Sequence, residues 1–272
     1  MNAWKWVPNA LTLGNLLGGV VVCWAAASGS FLGEALVAEW TDSMALGMQE
    51  PWPGGAEARG VQMVAVVWVL AMFCDVLDGW AARKLGVAGP MGVQLDSLAD
   101  VVTGGVAPAM VAMRLFQGEG GAGLTWQMVA CLGVAAAAAY RLARFNVAAE
   151  KGKEGPFFEG LPAPAAGLFW LGMMLTWGEL QGGANESMST SLAWIGLVVV
   201  PLAMASRRKM WGLKGWGLNP RVDQIRSVMV PIVVGVGVGT WFGCESVFLA
   251  VPLCLLLYLG LAMATTPQSQ SH

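Results

Sequence analysis

Charge is scarce in this chain of 272 residues. Asp, Glu, Lys and Arg make up 12% of it, where a soluble globular chain carries about a quarter. That shortage excludes an ordinary water-soluble domain, and nothing in the sequence calls for a nucleic-acid partner. Histidine is nearly absent: His272 stands alone, at the end of the polar stretch "TTPQSQSH". Acid–base chemistry therefore falls to carboxylates. Cysteine offers no framework either. Cys23, Cys74, Cys131, Cys244 and Cys254 are scattered, mostly inside apolar runs, with no CxxC spacing. They read as small buried hydrophobes rather than disulfides or metal ligands. Tyrosine occurs twice, against fourteen Trp, a bias that suits the interfacial belts of a membrane protein.

What the chain has is apolar length. It is 56% hydrophobic, in runs of about 20 residues, enough for helices to cross a bilayer. The runs predict about eight spans, over 9–28, 61–83, 92–116, 125–147, 161–178, 192–206, 227–243 and 246–264. The expected architecture is an all-α integral membrane protein, a polytopic helical bundle forming a single transmembrane domain over 1–272. Within it, 1–206 would form the catalytic core, and 207–272 a basic loop with a C-terminal helix pair. The start "MNAWKWVPNALTLGNLLGGVVVCWAAA" reads as an interfacial segment feeding the first span rather than as a cleavable signal peptide. Gly14 and Gly18, and Gly235, Gly237 and Gly239, would let helices approach closely.

The few charges are sorted by side. With an even number of spans, one side holds Lys5, Arg83, Lys84, Arg141, Arg144, Lys151, Lys153, Arg207, Arg208, Lys209, Lys214, Arg221 and Arg226. The other holds Arg59 and Arg114 and is otherwise acidic. This bias puts both termini in the cytoplasm. The expected location is the cell (inner) membrane. The 29–60 loop is then external. The basic, Trp-bearing loop "RRKMWGLKGWGLNPRVDQIR" (207–226) is cytoplasmic and suits anionic lipid.

The cytoplasmic side also carries "DVLDGWAARKLGVAGPMGVQLDSLAD" (75–100). Asp75 and Asp78 are three apart, Asp96 and Asp100 four apart, so each pair shares a helix face. The Gly- and Pro-containing stretch between them signals a turn, giving a helical hairpin with two facing carboxylate pairs. Acidic residues at helix ends are often only solvated caps. Four at paired spacing, with Arg83 and Lys84 between them, favour a site, because ionisable groups in spans are expensive. Carboxylates so close need cations, and hard oxygen ligands suit Mg²⁺, Mn²⁺ or Ca²⁺. Two adjacent ions would neutralise them and clamp a polyphosphate. Gly79 and Ala82 leave room beside the carboxylates for a flat group.

The same stretch fits D-x2-D-G-x2-A-R-x8-G-x3-D-x3-D at every fixed position: Asp75, Asp78, Gly79, Ala82, Arg83, Gly92, Asp96 and Asp100. It resembles the CDP-alcohol phosphatidyltransferase family. "PNALTLGNLLGG" (8–19), "LDSLADVVTGGVAPA" (95–109), "YRLARFNV" (140–147) and "FFEGLPAPAAG" (157–167) are similar to its bacterial and archaeal phosphatidylserine synthase branch. Gly89 departs from the many relatives that place Ser or Thr there. The resemblance implies that Asp75, Asp78 and Asp96 bind the metals, Mg²⁺ or Mn²⁺, with Asp100 shared between metal binding and catalysis as general base. It further implies that Gly79, Ala82 and Arg83 line the CDP pocket, that Asn9 and Thr12 sit beside the diphosphate, and that Arg141 and Arg144 bind substrate. The implied substrates are CDP-diacylglycerol and L-serine, with CMP released, and the implied assembly is a homodimer. Two rival readings remain: a sister enzyme using glycerol 3-phosphate or inositol phosphate, and a cation channel or transporter. The rivals differ in acceptor and in whether CMP is released.

Overall fold

The computed structural model describes residues 6–28, 55–87, 89–117, 125–150, 157–180, 186–211, 233, 235–240, 246 and 248–265. Helix α1 runs Val7–Ala27, α2 Gly55–Leu85, α3 Pro90–Val101 and α4 Ala107–Phe116, with a π turn at Val102–Val106 joining the last two. Then come α5 (Trp126–Glu150), strand β1 (Phe157–Glu159), α6 (Ala163–Leu180), α7 (Glu186–Ala205), β2 (Lys209–Trp211) and α8 (Ala250–Thr265). The described chain is thus an all-α membrane protein with one short antiparallel pairing, β1 on β2, in the register Phe157↔Trp211 to Glu159↔Lys209.

Five stretches are long and apolar enough to cross a membrane: Val7–Ala27, Gly60–Leu85, Pro90–Phe116, Trp126–Ala149 and Ser187–Ala205. They coincide with five of the expected spans. The expected 161–178 span corresponds to α6 and the 246–264 span to the shorter apolar helix Ala250–Ala264. The 29–60 loop, the 207–226 loop and the 227–243 span lie largely outside the described residues.

The helices are apolar on every side, as spans are. Leu13, Leu17 and Val20 of α1 and Val66, Val69, Leu70 and Phe73 of α2 face outward, while Trp68, Phe169, Trp170, Met173, Met174 and Met204 fill the interior. Between lipid-solvated helices no hydrophobic force acts, so contact rests on small residues and close packing. Helix α1 supplies them. A Cβ at Gly18 would stand 2.6 Å from the Cβ of Ala71 on α2, and one at Gly19 would stand 2.8 Å from Thr103 Oγ1 in the π turn. Gly14 makes only an ordinary contact, with Cys74 Sγ at 3.6 Å, and Gly235, Gly237 and Gly239 meet nothing within 4 Å among the described residues.

The hairpin of α2 and α3 ends where its sequence dictates. Gly86 takes the left-handed conformation (φ 62°) that a side chain disfavours, and two reversed hydrogen bonds close the helix. The Gly86 N–H donates to Arg83 C=O (3.3 Å), and the Val87 N–H donates to Ala82 C=O (3.1 Å). Helix α3 then starts on Pro90, whose fixed φ suits a first helical position.

The π turn has an equally local cause. Pro108 lacks an N–H, and its ring would clash with the carbonyl of Gly104 four residues back in a regular helix. The helix widens instead, and the Ala107 N–H donates to Val102 C=O, five residues earlier. That leaves Thr103 C=O without a helical donor, because Pro108 stands at its five-residue partner position. The buried Trp68 indole replaces the missing donor, its Nε1–H reaching Thr103 O at 3.2 Å. Trp68→Phe keeps the ring's bulk and removes this donor. The orphaned buried carbonyl should cost about 1–3 kcal/mol, read as a lowered melting temperature in detergent. Melting at the wild-type temperature would show that the bond adds nothing.

Candidate active site

Five helices meet at one end of the bundle: the first half of α1, the end of α2, the second half of α3, and the ends of α5 and α7. Contacts across the chain fix the meeting. Thr12 reaches Asp78, Asn146 Nδ2–H donates to Ser97 Oγ at 2.8 Å, and Arg144 reaches Ala205.

The four aspartates face each other as their spacing predicts. One carboxylate oxygen from each of Asp75, Asp78 and Asp96 lies within 4.8 Å of the others. Asp100, one turn past Asp96, lies next to Asp75. Asp78 is buried, at 4% exposure, and the other three are half-buried. Three hard oxygen ligands converging from two helices fit a divalent cation of the Mg²⁺, Mn²⁺ or Ca²⁺ type. No other neighbouring group among the described residues offers such a convergence.

Neutral polar groups of α1 support the carboxylates. The Thr12 hydroxyl lies 2.5 Å from Asp78 Oδ2 and 3.0 Å from Pro8 O. Thus Thr12, expected beside a diphosphate, has its hydroxyl on an aspartate. Asn9 is half-buried and faces Gly92, the glycine that opens room between α1 and α3. Its Oδ1 would lie 3.7 Å from a Cβ placed there. Asn15 is buried, and its Nδ2–H approaches Asp75 Oδ1 at 3.4 Å. The sequence reading did not single out Asn15, although an amide inside an apolar span three residues after Thr12 is itself a signal.

On α2, Gly79 and Ala82 are half-buried, and the exposed Arg83 folds back over Gly79, its guanidinium 3.3 Å from where a Cβ would stand. Lys84 lies over the Trp80 ring at 4.5 Å. Gly89, extended at the start of α3, offers its helix no side-chain cap.

The two arginines of "RLARFN" part company. Arg141 is 7% exposed, sits within electrostatic reach of Asp100, and its Nε has no hydrogen-bond partner among the described residues. Arg144, one turn on, is committed to the scaffold. It donates to Ala205 O (3.1 Å), Ser206 O (2.7 Å) and Glu159 O (3.3 Å), and its Nε lies 3.8 Å from the Glu159 carboxylate. It therefore ties the end of α5 to β1 and to the end of α7, and its donors are spent on backbone carbonyls away from the aspartates.

A CDP-diacylglycerol–serine O-phosphatidyltransferase of Mycobacterium leprae is 37% identical over 166 residues, covering 60% of this chain and 53% of its own. One from Methanocaldococcus jannaschii is 41% identical over 103 residues, 38% of this chain and 46% of its own. One from Saccharomyces cerevisiae is 41% identical over 120 residues, 42% of this chain and 41% of its own. The chain spans about half the length of the curated relatives it matches. The family model of the CDP-alcohol phosphatidyltransferases matches residues 5–202, which include every aspartate of the site. This chain belongs to the CDP-alcohol phosphatidyltransferase family.

Proposed function

We propose that the protein transfers the phosphatidyl group of CDP-diacylglycerol to the hydroxyl of L-serine and releases CMP. The observation that carries the reading is the convergence of Asp75, Asp78, Asp96 and Asp100 with one buried arginine, Arg141, at a single end of the bundle. The relatives named above, from a bacterium, an archaeon and a yeast, carry the serine-transferase name, which supports the choice of acceptor. The charge bias supports a multi-pass protein with this end cytoplasmic, and we read its location as the cell (inner) membrane. We read it as a homodimer, as the resemblance implies.

In this reading Asp75, Asp78 and Asp96 hold Mg²⁺ or Mn²⁺, with Asp100 contributing to a second ion. The bound cations would supply the positive charge that a diphosphate and a departing phosphate require. Gly79 and Ala82 leave space for the cytidine, Arg83 pairs with phosphate oxygens, and Asn9 and Thr12 close the pocket from α1. The acyl chains stay in the bilayer between the outward apolar faces. The bond that forms joins serine Oγ to the lipid-side phosphorus. The bond that breaks joins that phosphorus to the oxygen of CMP, which leaves with its electron pair. Asp100 takes the hydroxyl proton as the new bond forms, since a carboxylate need only accept it in the transition state. Arg141 lies within electrostatic reach of that base and suits the planar carboxylate of serine. Arg144 we assign to the scaffold.

Purified protein given CDP-diacylglycerol and labelled serine, glycerol 3-phosphate or inositol phosphate should release CMP with serine alone, lose that activity to a chelator and regain it with Mn²⁺ or Mg²⁺. CMP release with a phosphorylated acceptor instead would move the protein to a sister activity, and metal flux without CMP would make it a transporter. Asp100→Asn should lower turnover by about a hundredfold or more while the CDP-lipid still binds. Unimpaired turnover would remove Asp100 as the base. Arg141→Lys replaces a planar fork with a point charge and should raise KM for serine about tenfold with KM for the CDP-lipid unchanged. Equal changes in both would place Arg141 elsewhere.

A further inference from the structure

One polar residue of the π turn reaches the aspartates through an intermediary. The Thr103 hydroxyl lies 2.8 Å from Asn15 Oδ1 and 3.2 Å from Asn15 O, and the Asn15 Nδ2–H points on to Asp75 Oδ1 at 3.4 Å. Asn15 is 1% exposed and Thr103 4%, so no water competes for these groups. The direction of the chain is forced by chemistry. An ionised carboxylate only accepts, so the amide must turn its NH₂ toward Asp75. Its oxygen then faces Thr103, and the hydroxyl must donate. A valine there would leave the amide oxygen without this donor.

The position of Thr103 is fixed on two further sides. Its carbonyl is held by Trp68, and Gly19 of α1 packs against its hydroxyl so closely that a Cβ would stand 2.8 Å away. The hydroxyl thus belongs to a rigid element, and Asn15 takes its rotamer from it. We propose that Thr103 and Asn15 act as a positioning relay for the metal ligand Asp75. The relay holds Oδ1 of that carboxylate against α1 and sets how the carboxylate is presented to the cation. Both residues are buried behind the aspartates, so in this reading they act through Asp75 rather than on substrate. The inference rests on the metal-site reading above and adds to it the residues that aim one ligand. Hydrogen-bond partners behind a ligand typically alter metal affinity by about tenfold to a hundredfold when removed.

The test titrates the full chain in detergent micelles with Mn²⁺ alone, following free Mn²⁺ by electron paramagnetic resonance. No turnover enters the readout. Thr103→Val keeps the side chain's shape and removes the donor. It should weaken Mn²⁺ binding about tenfold or more, Thr103→Ser should bind as wild type does, and Asn15→Ala should match Thr103→Val. The double variant Asn15→Ala/Thr103→Val should be no worse than Asn15→Ala, because the hydroxyl acts only through the amide. Wild-type affinity in Thr103→Val, or additive losses in the double variant, would overturn the relay while leaving the metal site intact. Failure of the wild-type chain to bind Mn²⁺ would overturn both. Should Thr103→Val not fold, the contrast of Asn15→Ala with Thr103→Ser decides: affinity equal to wild type in Asn15→Ala sinks the proposal.

Discussion

Mutual repulsion among carboxylates is the constraint around which this bundle is arranged. Asp75, Asp78 and Asp96 bring oxygens within 4.8 Å of one another at the end of helices that are otherwise apolar. At an effective dielectric of about 20, each ionised pair at that distance opposes the others by on the order of 3 kcal/mol. A fold that only needed to be stable would separate them. Here α1 packs against both α2 and α3 and gathers the two pairs, its neutral donors lie against two of the carboxylates, and the cluster fits a divalent cation. The geometry of the hairpin and the chemistry of the site are thus one problem with one solution.

Helix α1 carries the neutral share of that solution. It brings no charge to the cluster, only a hydroxyl and an amide, and each lies against a different aspartate. Its small residues let it lie close against α2 and the π turn, so short side chains such as Thr12 and Asn15 can reach. Thr103 binds α1 from the opposite side, held in place by Trp68. A proline in α4 therefore influences a carboxylate in α2, through a widened turn, an indole, a threonine and an asparagine in sequence.

Much of this was legible in the sequence, and the reason is periodicity. Aspartates three and four residues apart must share a helix face, Gly86 and Pro90 punctuate the turn between them, and apolar runs announce the spans. Contacts between distant segments carry no such period. Thr12 was expected beside a diphosphate and is found against Asp78. Arg144 was expected with Arg141 near substrate, yet the two point to different neighbours, because β1 and the end of α7 offer Arg144 carbonyls that no local pattern announces. Asn15 and Thr103 are 88 residues apart, and only the packing of α1 on the π turn pairs them. The widened turn could have been suspected from Pro108, since a proline inside an apolar run must disturb the helix somewhere.

The π turn also fixes how the chain can change in length. Each residue advances an α-helix by about 100°. Residues 102–106 hold one more residue than a regular turn would, so they set the angle between the half-helix that bears Asp96 and Asp100 and the half that anchors in the bundle. Deleting a single residue there would leave both halves helical and apolar, still able to cross a membrane, while swinging both carboxylates about a quarter turn away from Asp75 and Asp78. Substitutions along the lipid-facing surface are free to accumulate, but the number of residues between Asp100 and Pro108 is not.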